Sequence, residues 1–238
     1  MNAPSKNARS LAPVLAMFAV TGCGGPEGGV PIDSSVTKIV LTAATTDESA
    51  VAVRSDDATI DVEEVGISLR SLGIVPCTGD AAPLAIDDYP VELTGEPSAQ
   101  ASFESSVSDY CGVTLDIEPS SSDEPPELAG LGVLVRGTRS DDVPFEIRSA
   151  LEFDATLSSE AAFGAHVVLG FDLATWFSGV ELDAAETTDG VAVIDAEDNA
   201  SLLSAFEANT RAAVALYADA DRDGILDADE LDPIATGE

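Results

Sequence analysis

Apolar and polar residues alternate over 36–44, placing Ile39, Leu41 and Ala43 on one side, and again over 65–69, where Val65, Ile67 and Leu69 share a side. A period of two marks a strand with one buried face. Further apolar segments at 84–86, 91–93, 112–117, 131–137, 145–157, 165–173 and 191–194 predict additional strands, and clusters of Gly, Pro, Asp and Ser separate them. The stretch 119–127 reads Pro, Ser, Ser, Ser, Asp, Glu, Pro, Pro, Glu. Its prolines lack amide donors and its charges lack partners, so it is expected to be an exposed loop.

The spacing changes over 200–217. Leu202, Leu203, Phe206, Thr210, Ala213, Val214 and Tyr217 return at three- and four-residue intervals. That pattern predicts an amphipathic helix, with Asp198 or Asn199 capping its first amides and its apolar stripe packed on a sheet. Many short strands without interleaved helices point to a mainly β fold. The arrangement expected is an antiparallel β-sandwich over 35–196, followed at 197–238 by one helix and an acidic tail. Only 5% of residues are aromatic, so Val, Ile, Leu and Ala must supply most of the core.

The formal net charge is -34. Such a field repels phosphate backbones, which excludes nucleic acid as a partner and makes cations the natural counterpart. Most of this charge is expected to be a solvated acidic surface.

The chain opens with Lys6 and Arg9, an apolar stretch over 11–20 interrupted by Pro13, and the small residues Thr21 and Gly22 before Cys23. This is the layout of a signal peptide over 1–22. The stretch falls short of the roughly 20 residues that span a bilayer. Val20, Thr21, Gly22 and Cys23 resemble the bacterial lipobox, and the resemblance implies lipid attached to Cys23. Gly24, Gly25, Pro26, Glu27, Gly28 and Gly29 follow, so 23–34 is expected to be a lipidated cysteine and a flexible tether. Localisation in the bacterial cell envelope follows, with membrane lipid as a partner through Cys23. Gly24 follows Cys23 where an Asp would resemble an inner-membrane retention signal, which favours the outer membrane. Of three cysteines, Cys77 and Cys111 then remain as an even pair in an oxidising compartment, and a disulfide is expected. Spacing alone does not establish that they are close enough to bond.

Asp219, Ala220, Asp221, Arg222, Asp223, Gly224, Ile225, Leu226, Asp227, Ala228, Asp229 and Glu230 resemble the twelve-residue EF-hand loop at its diagnostic positions. The resemblance implies calcium held by Asp219, Asp221, Asp223, the Ile225 carbonyl, Asp227 directly or through water, and both oxygens of Glu230. Gly224 allows the sharp turn, and Leu226 is the usual apolar residue. Oxygen donors suit a hard cation, and no His or Cys is present for a transition metal. Pro233 leaves little room for an exiting helix and no second loop is seen. The site is therefore closer to the isolated loops of dockerin and thrombospondin type 3 repeats than to a paired sensor.

Catalytic signals are weak. His166, the only histidine, sits in an expected strand and reads as a structural imidazole. The adjacent acids Glu63 and Glu64, Asp87 and Asp88, and Asp141 and Asp142 point to opposite faces if they lie on strands, and so form no shared site. No serine elbow, Walker loop, GxGxxG or HExxH appears. Trp176 and Phe177 are expected in the core, although an exposed indole would stack on sugar. The function expected is a non-catalytic, membrane-anchored, calcium-binding lipoprotein with a structural or adhesive role. The alternatives are a carbohydrate-binding module and an envelope glycan hydrolase. Only weak resemblance to uncharacterised β-sandwich envelope lipoproteins supports the rest of the chain.

Overall fold

The computed structural model describes residues 36–44, 51–55, 58–78, 82–84, 89–94, 99–104, 110–123, 125–163, 166–221, 226, 230 and 232–237. The predicted signal segment, Cys23, the tether, Asp87 and Asp88 lie outside them. The chain is mainly β. Its strands are β1 (Val36–Ala44), β2 (Val51–Ser55), β3 (Ala58–Pro76), β4 (Ala82–Leu84), β5 (Tyr89–Glu92), β6 (Ala99–Glu104) and β7 (Tyr110–Ile117). They continue as β8 (Val133–Thr138), β9 (Pro144–Ser149), β10 (Phe153–Phe163), β11 (His166–Asp172), β12 (Ala192–Ile194), β13 (Val214–Ala218) and β14 (Ala235–Thr236). Helix α1 (Leu173–Trp176) follows β11, and α2 (Ala200–Ala212) precedes β13.

Among the described residues these strands form two sheets. One has the order β14-β13-β11-β1-β6, and the other contains nine strands on the path β10-β7-β3-β8-β9-β12 with β2, β4 and β5 also on β3. Most ladders are antiparallel as expected, but β1 with β11 and β9 with β12 are parallel. Residues of both sheets share one apolar cluster, including Ile67, Leu115, Ile147, Leu169 and Leu216.

Strand β3 is the spine of the larger sheet, and its sequence shows why it curls. Ile60 and Val62 are buried, then Val65, Ile67 and Leu69, then Leu72 and Ile74. The alternation skips a residue twice, and the register with β8 shifts between Val62 and Glu64 while that with β7 shifts between Leu69 and Ser71. Each skip is a bulge, which returns the next apolar residues to the core and bends the strand.

Strands β7 and β8 lie end to end on one edge of β3, since Leu69 pairs with both Tyr89 and Ile117 while Gly66 pairs with both Glu92 and Leu134. Between them the chain leaves the sheet after Ile117 and returns at Val133, an excursion that contains the loop predicted over 119–127. It folds back so that Leu128 covers Gly66. Strands β9 and β10 continue the same way, and the single strand predicted over 145–157 is broken at 150–152. Gly132 sits against that break: its amide donates to Ser149, and a Cβ there would collide with the Leu151 carbonyl. Only glycine lets the two backbones approach this closely.

Charged side chains on the outer face neutralise one another. Arg136 donates to Glu64 at 2.9 Å and to Glu146 at 3.1 Å, and Arg148 also pairs with Glu146. Burial pushes the Glu146 carboxyl up, but hydrogen bonds from Arg148 and Arg136 outweigh it and hold the group below its ordinary range. Its contribution to stability is present above the unfolded carboxylate range and is lost as pH falls through the lowered value. Arg139, 7% exposed, donates to the carbonyls of Leu182 and Ala185 and to the Asp141 carboxylate. It ties the β8–β9 hairpin to the chain after α1.

The disulfide joins Cys77 and Cys111, with Cα atoms 4.7 Å apart. It lies where Pro76 at the end of β3 pairs with Tyr110 at the start of β7.

Candidate metal centre

Helix α2 begins at Ala200 as predicted, but Asn199 does not cap it with its side chain. Asn199 has a positive φ of 55°, and its amide instead donates to the carbonyls of Glu186 and Val193. The helix also ends five residues before Tyr217, at Ala212. Residues 214–218 form β13, which lies between β11 and β14 and buries Val214 and Leu216 as well as Ala215 and Tyr217. A surface helix hides one stripe, whereas a strand inside a covered sheet hides both faces. A fully apolar segment therefore gains more as a strand here.

The acidic segment consequently leaves a strand rather than a helix. The Asp219 amide donates to the His166 carbonyl at 3.3 Å, extending the β11–β13 ladder by one residue. Beyond the loop, Ile234 donates to Leu216, and Ala235 and Thr236 pair with Leu216 and Ala215. The twelve-residue segment is thus carried on a β-hairpin.

Within it, carboxylate oxygens of Asp219, Asp221 and Glu230 all lie within 4.8 Å of one another. Asp219 is 5% exposed, and Asp221 is open to solvent. Glu230 reaches back across the loop and accepts the Ala220 amide at 2.6 Å, so the end of the segment is bonded to its beginning. Three carboxylates at this separation repel one another in the absence of a counter-charge and can hold a metal ion. The donor set, all oxygen, fits a hard cation. Asp223, Gly224, Ile225 and Asp227 lie outside the described residues.

The other sequence candidates are placed as follows. Trp176 is fully buried among Phe171 and Phe206, both edge-on to it, so it offers no face to a sugar. His166 is half-buried, and its Nδ1 is shielded without a hydrogen-bond partner among the described residues, unlike a satisfied structural imidazole. Glu63 and Glu64 straddle a bulge and accept from Thr138 and Arg136. Asp141 is taken by Arg139, and Asp142 occupies the hairpin turn with a φ of 61°.

An acidic groove was not anticipated. On the outer face of β3, β7 and β10, a cavity of about 590 Å³ is lined by Asp116, Glu118, Glu152, Asp154, Ser71 and Thr114, among others. Asp116 and Asp154 are direct cross-strand partners, so their spacing could be recognised only once the register was known. Arg70 pairs with Glu118. Burial raises the Asp116 carboxyl above its ordinary range, and repulsion from Glu118 adds to this. A raised value means that folding favours the protonated form, an advantage lost as pH rises through it. Asp116→Asn is therefore expected to stabilise the protein at pH 7 by about 0.5 kcal/mol, with the gain vanishing near pH 3. Urea midpoints of both proteins at the two pH values check this. An equal shift at both would refute the charge explanation.

No helix among the described residues is long and apolar enough to cross a membrane. No protein-family model, curated protein or solved structure matches this chain.

Proposed function

We propose that this protein is a non-catalytic lipoprotein of the bacterial envelope, anchored through Cys23, whose C-terminal hairpin binds calcium in a structural role. The observation that carries the calcium reading is the convergence of Asp219, Asp221 and Glu230. Supporting it, Asp223, Asp227 and the Ile225 carbonyl stand at the remaining ligand positions of the sequence pattern. Calcium accepts six to eight oxygens in flexible geometry, which a loop of this composition can supply. Outside the cytoplasm calcium is abundant, so a dissociation constant on the order of 0.1 to 1 mM would keep the loop filled.

Calorimetric titration with calcium tests the site. Saturation at 10 mM calcium is expected to raise stability by about 1.4 to 2.7 kcal/mol. Glu230→Gln keeps the shape, removes the charge, and should weaken calcium affinity about tenfold or more. Unchanged affinity in that variant would remove Glu230 from the site. The anchor rests on the lipobox resemblance, and its test is fatty-acid labelling in a bacterial host. Label that persists in Cys23→Ala would reject it.

A glycan-directed reading draws support from the groove around Asp116 and Asp154 rather than from Trp176. It predicts release of reducing sugar from envelope glycan that Asp116→Asn abolishes.

A further inference from the structure

Strand β10 ends the order of the larger sheet, so β7 takes only one of its edges. On the other edge Leu157 forms an isolated bridge with Gly237, and no other described residue pairs there. Unpaired amides and carbonyls on a strand edge are a template for a further strand, and folded proteins usually blunt such edges with Lys, Pro or short length. Strand β10 has 11 residues and contains neither Lys nor Pro. Its register with β7 shifts after Ser158, but 153–158 pairs regularly with 112–117.

A groove of about 680 Å³ lies beside that edge, with Asp154, Thr156, Ser158 and Glu160 on one wall and Pro233 and Ile234 on the other. These β10 side chains are all exposed. Asp154 and Thr156 also line the acidic groove of β3, β7 and β10, which extends the negative surface to Asp116, Glu118 and Glu152. Arg70 is taken by Glu118, and neither Asp116 nor Asp154 forms an ion pair among the described residues. They face each other directly across the ladder, an arrangement of like charges that destabilises a sheet. A cation standing next to Asp154 on the open side would relieve it. The sign of the surface also opposes a second copy as occupant, since that would set another Asp154, another Glu160 and a further net charge of -34 against the same edge. An extended segment with cations at alternate positions fits, because its backbone pairs with β10, its cations share the face of Asp154 and Asp116, and its other side chains turn to the side of Ala155.

We propose that the outer edge of β10 is a docking site for an extended, basic segment of another protein, which adds as a strand to the larger sheet beside Asp154 and Asp116. Backbone pairing supplies the attraction, and alternate cations supply the selectivity. The calcium loop has no part in this recognition, so the two stand or fall separately.

The probe is a short capped peptide of alternating lysine and valine, fluorescently labelled and titrated with the purified full chain. Anisotropy should show saturable binding that weakens as salt rises, and hydrogen exchange within 153–156 should slow in the complex. Asp154→Asn should weaken binding about threefold, and Asp154→Asn combined with Asp116→Asn about tenfold. Removing a like-charge pair does not unfold a sheet, and urea midpoints confirm that both variants are folded. Two further peptides, N-methylated at the valines or at the lysines, keep every charge but lose one set of backbone donors. One of them should bind about tenfold more weakly, because its methyl groups meet the β10 edge. Equal affinity of both methylated peptides would reduce the interaction to charge attraction and overturn the proposal, as would unchanged affinity in the double variant. Dimerisation of the free protein that protects 153–156 would assign the edge to a second copy instead. Failure of the lysine peptide to bind, with soluble envelope glycan bound in its place and lost in Asp154→Asn, would assign the groove to a saccharide and also overturn it.

Discussion

Phe206→Ala should lower stability by about 3 to 5 kcal/mol, the range for deleting a buried aromatic ring. Phe206 is fully buried on α2, with ring centroids 5.6 Å from Trp176 and 5.7 Å from Phe177. Trp176 also meets Phe171 of β11 edge-on, and Phe177 meets Phe145 of β9 in the same way. The cluster therefore joins a helix, a helical turn and a strand from each sheet. Removing its central ring leaves a cavity that none of these elements can fill alone. Polar bonds beside it restrict collapse, because Asn209 donates to the carbonyls of Trp176 and Ser178, while Ser149 donates to Glu207 at 2.6 Å. Urea unfolding measures the loss, and Phe206→Leu should recover much of it. Trp176 is the only tryptophan, so its emission should shift to the red as water reaches the cavity. A loss under about 1 kcal/mol would mean that the site repacks and that the cluster does not hold the sheets to the helix.

Removal of the disulfide is expected to have an effect of similar size. Cys77 and Cys111 are 34 residues apart, and a crosslink over that length restricts the unfolded chain by about 4 kcal/mol in the entropy model. The enclosed segment carries β4 and β5, which pair with β3, and β6, which pairs with β1 in the other sheet. The bond thus limits an excursion from the larger sheet to the smaller one and back. Replacing both cysteines with serine should lower the urea midpoint, and adding reductant to the unmodified protein should reproduce the change. If reductant shifts the midpoint of the double variant as well, another effect is responsible.

Much of the strand content was legible because alternation is a local property. The predicted span 36–44 matches β1 to the residue, and 112–117 and 165–173 overlap β7 and β11 closely. The bulges of β3 were legible too, in the three-residue gaps from Val62 to Val65 and from Leu69 to Leu72, although only the central run was read as a strand. Strands β2 and β6 were missed, with short runs of Val and Ala weakened by polar neighbours, and the two residues of β14 carry no periodic signal. The acid spacing of the loop was visible, but Asp116 facing Asp154 depends on a cross-strand register that no local pattern encodes.

Residues 213–218 separate the two kinds of information most clearly. By itself the sequence determined that Ala213, Val214 and Tyr217 would be buried, and that Asp219, Asp221 and Glu230 would follow at the spacing of a cation loop. It did not determine helix or strand, because the apolar residues of that segment satisfy both periods. The tertiary structure decided, since β11 on one side and β14 on the other supply the hydrogen bonds and cover that only a strand can use. That choice placed the loop on a hairpin between β13 and β14. Local spacing specifies which side chains are available to a cation, and long-range pairing specifies where in the fold they stand.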